Sequence, residues 1–135
     1  MNSVALMNGC FDILHQGHFG LLTAAEMHAL AHSLRLTIAL NTDDSVRRLK
    51  GAGRPVNPWH VRSANLRLFM PHVQVVPFGG NVLALAESYN PAVILRGYDQ
   101  EIEPEIAAKF RVIRMPKFGD FSTTKCLESF SLATK

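Results

Sequence analysis

Cysteine, tryptophan and long apolar runs are scarce in this chain, and neither sign of charge dominates it. Cys10 and Cys126 are its only cysteines among 135 residues. One falls in a strand-to-helix turn and the other in a C-terminal helical pattern, so a structural disulfide is not expected and a reducing cytoplasm is the expected location. The apolar stretches are of strand length, well below the roughly 18 residues that a membrane-crossing helix requires. No membrane is therefore expected as a partner. The N-terminus runs straight into a strand pattern without a basic region or cleavage site, so no secretory signal is expected. A net charge of +3 suits an anionic small substrate and gives no reason to expect nucleic acid. No Gly-x-Gly-x-x-Gly follows the first apolar run, which argues against a dinucleotide-binding oxidoreductase. Repeats, low-complexity tracts and linkers are absent, and the length suits one domain over residues 1–135.

What is present is a regular alternation. Apolar runs rich in Val, Ile and Leu occur at Val4–Asn8, Leu36–Leu40, Val73–Pro77, Ala92–Arg96 and Arg111–Met115. Helical spacing falls between them, at Gly17–Ser33, Asp43–Leu49, Pro58–Phe69, Val82–Tyr89 and Pro104–Lys109, with a last helix from Thr123 to about Leu132. Asn57-Pro58 and Asn81 read as helix starts. Continuous apolar strands joined by helices imply a parallel sheet covered on both faces. The expected fold is α/β, a single Rossmann-like doubly wound domain with a five-stranded parallel sheet and ligands at the carboxyl ends of its strands.

The densest chemistry lies at the first strand-to-helix turn, Asn8-Gly9-Cys10-Phe11-Asp12-Ile13-Leu14-His15-Gln16-Gly17-His18. A helix start there presents free backbone N–H groups to an anion. Gly9 and Gly17 would let a nucleotide approach the backbone. His15 and His18, three apart, share one face of a first helical turn. They could donate to phosphate oxygens and offset charge built up during phosphoryl-group chemistry. A metal site is ranked low, because no third or fourth ligand lies nearby.

This string resembles the Gly-x-Phe-Asp-x-x-His-x-Gly-His pattern of the cytidylyltransferase-like nucleotidyltransferases. Every fixed position is filled, by Gly9, Phe11, Asp12, His15, Gly17 and His18. The stretch Arg48-Leu49-Lys50-Gly51-Ala52-Gly53-Arg54-Pro55-Val56-Asn57-Pro58 resembles one branch, the adenylyltransferase domain of ADP-heptose synthase. The resemblance implies that Lys50 reaches substrate phosphates from a mobile loop and that Arg62, the arginine following the proline, contacts the nucleotide. It also implies that Gly97 and Asp99, in Arg96-Gly97-Tyr98-Asp99, contact base or ribose, although a simple β-turn fits those residues nearly as well. Ser122 and Thr123 would cap the last helix and hold triphosphate oxygens. Cys10 would lie against the nucleotide without acting as a nucleophile, Phe11 and Asp12 would contact the nucleotide as well, and Asp12 would also orient the turn.

The implied reaction joins a nucleoside monophosphate to a phosphorylated sugar or polyol and releases pyrophosphate. His15, His18 and Lys50 would be catalytic, with Mg²⁺ carried mainly by the triphosphate rather than by protein ligands. ATP and a sugar phosphate such as heptose 1-phosphate are favoured. CTP with glycerol 3-phosphate is the alternative, a non-catalytic nucleotide-binding relative is another, and a homodimer is left open. Several features depart from the family pattern. The first helix is about one turn (3.6 residues) longer and ends in Ala31-His32-Ser33 instead of glycine. Gln100 replaces an aromatic residue after Asp99, and the loop before Ser122 contains Asp120. These departures are expected to surround the acceptor pocket. His28, His32, His60 and His72 read as surface or helix-end residues, Phe118, Phe121 and Phe130 as core or interface, and Glu101, Glu103 and Glu105 as a solvated acidic stretch.

Overall fold

The structure is a computed structural model that describes residues 3–118. The elements run β1 (Val4–Gly9), α1 (Gln16–Ala31), β2 (Arg35–Asn41), α2 (Asp43–Lys50), α3 (Trp59–Phe69), β3 (Gln74–Phe78), α4 (Val82–Tyr89), β4 (Val93–Arg96), α5 (Pro104–Lys109) and β5 (Val112–Arg114). They agree with the expected elements to within two residues at each end. The expected final helix, with Ser122, Thr123, Asp120, Phe121, Cys126 and Phe130, lies outside the described residues.

All strand pairings are parallel, in the order β3-β2-β1-β4-β5. The central strands are mostly apolar because both faces are covered. Alternation along each strand then sorts the side chains. Ala5 and Met7 of β1, Leu36, Ile38 and Leu40 of β2, and Val93 and Leu95 of β4 join Leu22, Ala25 and Ala29 of α1 and Leu66 of α3. The opposite face collects Leu6, Ala39 and Phe78 beneath Val82 and Leu85 of α4. Ile94 meets Ala86 of α4 and Ile106 of α5 on that same face. The chain winds from β1 outward to β3 and then returns to place β4 on the other side of β1. The strand order therefore reverses between β1 and β4, opening a crevice at their carboxyl ends.

Helix α1 ends without glycine, as its sequence requires, and Ser33 supplies the left-handed residue instead, with φ 55°. Leu34 N then donates to the Ala29 carbonyl at 2.7 Å, closing the last turn. Thr42 caps α2 and Asn81 caps α4 through their side-chain oxygens. No helix among the described residues is long and apolar enough to cross a membrane.

Candidate active site

A cleft of about 1010 Å³ opens at the reversal point, at the carboxyl ends of β1 and β4. Gly9, Cys10, Phe11, Asp12, His15, Gly17, His18, Lys50, Gly97 and Asp99 all line it. The topology thus brings together residues up to 90 positions apart in the chain, as the order of the strands demands. Arg62 does not reach the cleft surface, and Ser122 and Thr123 lie outside the described residues.

The histidine pair is built by the start of α1. His15 is its N-cap, and the His15 Nδ1 accepts from the His18 backbone N–H at 3.4 Å. The two imidazoles stack with ring centroids 3.7 Å apart, and the Phe11 ring lies 5.3 Å from that of His18. Burial, with His15 and Lys50 nearby, lowers the His18 imidazole to about 4. Burial lowers His15 as well. Near neutral pH both rings are uncharged. Neither ring then brings a fixed positive charge to the ground state.

The two motif glycines serve these rings. A Cβ on Gly9 would sit 2.7 Å from the Phe11 ring, so glycine there makes room for that aromatic side chain. A Cβ on Gly17 would lie 3.1 Å from both the His15 ring and the Phe118 carbonyl. Gly17 therefore lets the His15 imidazole fold over the helix start. Phe11 itself is a buried residue with φ 43°, a left-handed conformation that β-carbon-bearing residues rarely adopt. That backbone places its ring beside His18, 5.3 Å between centroids.

Asp12 is almost fully buried and does more than orient its own turn. Its carboxylate accepts from Val56 N at 2.7 Å, Asn57 N at 2.9 Å and Arg54 Nε at 3.3 Å. The Asn57 side chain donates back to the Asp12 carbonyl at 2.9 Å. These bonds tie the loop after α2 to the histidine turn. Lys50, the last residue of α2, is thereby anchored from the far side. Between them, Gly51 N donates to the Arg47 carbonyl at 2.9 Å and Arg54 N to the Gly51 carbonyl at 3.2 Å, and a Cβ added at Gly51 or Gly53 would meet nothing. The sequence after that stretch is pinned by a buried carboxylate.

Arg62 is completely buried. It donates to the carbonyls of Asn57, Cys10 and Asn41 and to the Asp43 carboxylate, at 2.6 to 2.9 Å. It was expected as a nucleotide ligand, and every one of these bonds is internal. Its guanidinium joins the ends of β1 and β2 to α2 and the loop, so it holds the cleft floor in place. Cys10 lines the cleft as a free thiol, raised by burial against the opposing pull of Lys50, Arg62 and Arg54. A raised thiol is a poor nucleophile at neutral pH, in keeping with a packing role.

At the β4 side, Asp99 lines the cleft, whereas the Gly97 N–H is already taken by Gln100 Oε1 at 2.7 Å. Glu103 is not simply solvated. It pairs at 3.0 Å with the buried Arg96, which ends β4 and would otherwise be an uncompensated charge. Sequence reasoning also passed over Asn41, Ser45, Arg48 and the Gly79-Gly80-Asn81 turn, all of which line the cleft. Arg48, near the end of α2, donates to the Gly79 carbonyl at 2.9 Å. Position directly after an apolar strand was the available signal for Asn41 and for Gly79.

Residues 6–119 match the family description of cytidylyltransferase-like proteins. The chain belongs to the cytidylyltransferase-like family. That family is one of nucleotidyltransferases. The Bifunctional protein HldE of Mesorhizobium japonicum is 45% identical over 107 residues, which cover 78% of this chain and 21% of that protein. The protein of the same name from Alcanivorax borkumensis is 37% identical over 132 residues, 93% of this chain and 27% of that protein. The chain therefore spans about a fifth to just over a quarter of these relatives. Among solved structures, a lipopolysaccharide core biosynthesis protein from Thermoplasma volcanium superposes with a TM-score of 0.70 at 20% identity, over 87% of this chain and 98% of that one. At that identity the likeness is one of fold.

Proposed function

We propose that this domain transfers AMP from ATP to a sugar phosphate, heptose 1-phosphate being the favoured type, and releases pyrophosphate. The observation that carries this reading is the stacked, uncharged His15–His18 pair at the start of α1, sharing a cleft with Lys50. In the reaction, a phosphate oxygen of the acceptor attacks the α-phosphorus of the nucleotide in line. The new P–O bond forms as the bond to the pyrophosphate oxygen breaks. No protein nucleophile is needed, so catalysis is positioning plus stabilisation of negative charge on the phosphate oxygens. The α1 N–H groups and the two imidazole N–H groups donate to those oxygens, and Lys50 supplies the fixed positive charge.

No group of three or more His, Cys, Asp or Glu side chains among the described residues is placed to hold a metal ion. Mg²⁺ is proposed to enter with the triphosphate, where it would neutralise phosphate charge. Ser122 and Thr123 are proposed as further triphosphate ligands. A cytoplasmic setting fits the unpaired Cys10 thiol in the cleft.

The test is pyrophosphate release with ATP or CTP, each paired with a sugar 1-phosphate or glycerol 3-phosphate at matched concentrations. ATP with the sugar 1-phosphate is expected to exceed CTP by well over tenfold in kcat/KM, because a site built around one base edge rejects another strongly. Turnover only with CTP and glycerol 3-phosphate would replace the proposed substrates. No turnover with any pair would refute the proposed reaction.

A further inference from the structure

The reversal point of the sheet is already occupied by one of the chain's own side chains. Gln100, half-buried in the turn after β4, reaches across from β4 to β1 and lines the cleft. Its Oε1 accepts from Gly97 N–H at 2.7 Å, and its Nε2 donates to the Asn8 carbonyl at 3.3 Å. Both partners are backbone groups of fixed polarity. They determine which way the amide points, carbonyl toward Gly97 and amino group toward Asn8.

The backbone beneath this side chain is held independently of it. Arg114 Nη1 donates to the Tyr98 carbonyl at 3.0 Å and the Gln100 carbonyl at 2.6 Å, and Gln100 N donates to the Gly97 carbonyl at 3.2 Å. The Gln100 side chain can therefore leave by rotation about its own bonds while the turn stays in place. What its departure uncovers is one backbone donor beside one backbone acceptor, at the rim of a cleft lined by the histidine pair. A planar group with an acceptor next to a donor is the complement. Adenine has this edge, a ring nitrogen beside an exocyclic amino group, and so does cytosine.

We propose that Gln100 is an internal stand-in for the nucleobase: it satisfies Gly97 N–H and Asn8 C=O in the free protein and yields them to the base edge when nucleotide binds. The inference rests on the nucleotide reading of the cleft and adds a cost built into base recognition. Gln100 lowers affinity for the nucleotide while leaving the phosphate subsite untouched. It also keeps two buried-rim polar groups paired when the cleft is empty, as such groups require.

The experiment compares the wild type with Gln100→Ala and Gln100→Asn, whose shorter amide cannot span both partners. Dissociation constants for ATP, purine riboside triphosphate and inorganic tripolyphosphate are measured by titration calorimetry without acceptor, alongside thermal melts. Removing the two competing bonds should tighten ATP about 3- to 30-fold in both variants. Tripolyphosphate, which has no base, should bind all three proteins equally. Purine riboside triphosphate, which lacks the amino group, should gain less than ATP. Unchanged or weaker ATP binding in the variants, or equal changes for ATP and tripolyphosphate, would overturn the stand-in role and leave the nucleotidyl-transfer reading intact. Failure of every ligand to bind any of the proteins would overturn both. Binding with the expected pattern but without pyrophosphate release would remove only the proposed reaction.

Discussion

Asp12 offers the sharpest test of how the cleft is held together. Its carboxylate is 1% exposed and accepts from the Val56 and Asn57 backbone N–H groups at 2.7 and 2.9 Å, and from Arg54 at 3.3 Å. Asp12→Ala strands those donors. A buried donor left without its partner costs about 1–3 kcal/mol. Val56 is itself exposed, so water can enter once the loop lifts, and the low end applies to each backbone group. A loss of roughly 2–4 kcal/mol follows for the two backbone groups together. For a domain of this size that corresponds to a fall in Tm of roughly 8–16 °C. Because the released loop follows Lys50 directly, kcat should fall about 10- to 100-fold, as expected for a misplaced charge at a reacting phosphate. Asp12→Asn retains one acceptor but turns its amino group toward an N–H, and should fall between the wild type and the alanine variant in both readouts. The measurements are urea unfolding and steady-state pyrophosphate release on each protein. Stability of both variants within about 0.5 kcal/mol of wild type, the range of an ordinary surface change, would show that the carboxylate does not secure the loop.

Three further outcomes are expected. His18→Ala should lower kcat by about 10²-fold or more with a smaller change in nucleotide affinity, since its donor meets charge that grows in the transition state; a variant with full kcat and lost affinity would contradict that role. Because burial depresses the His18 imidazole to about 4 in the folded protein, from its ordinary 6.5, the unfolded chain binds the extra proton between those values. Stability attributable to this group is complete above pH 6.5 and is lost as pH falls toward 4, by up to about 3 kcal/mol. Urea unfolding across that range should show the slope in the wild type and a flatter one in His18→Gln. Ser33→Gly should stabilise the fold by about 1 kcal/mol, since glycine adopts the left-handed α1 terminus without steric cost; a destabilised Ser33→Gly variant in the same unfolding assay would argue against that conformation.

The division between what was legible in the chain and what was not follows the range of the interactions involved. Period-2 and continuous apolar runs mark β1 to β5, and cap residues such as Thr42 and Asn81 mark helix starts, because both depend on residues a few positions apart. The parallel sheet and the cleft at its carboxyl edge follow from that alternation. The histidine turn was equally visible, since its chemistry is concentrated within eleven consecutive residues, Asn8 to His18. Roles that depend on distant partners were not visible. Asp12 and Arg62 read as ligands because a buried carboxylate bonded to residues 54–57, or a guanidinium bonded to Cys10, Asn41 and Asp43, leaves no local pattern. Glu103 read as solvated because its partner Arg96 is buried only once β4 takes its place in the sheet. Gln100 read as a departure near the acceptor, and only the pairing of β1 with β4 sets Asn8 beside Gly97 so that one amide can bridge them. Local spacing specified the elements and the chemistry of the first turn; strand order and burial decided which polar groups face the cleft and which hold it open.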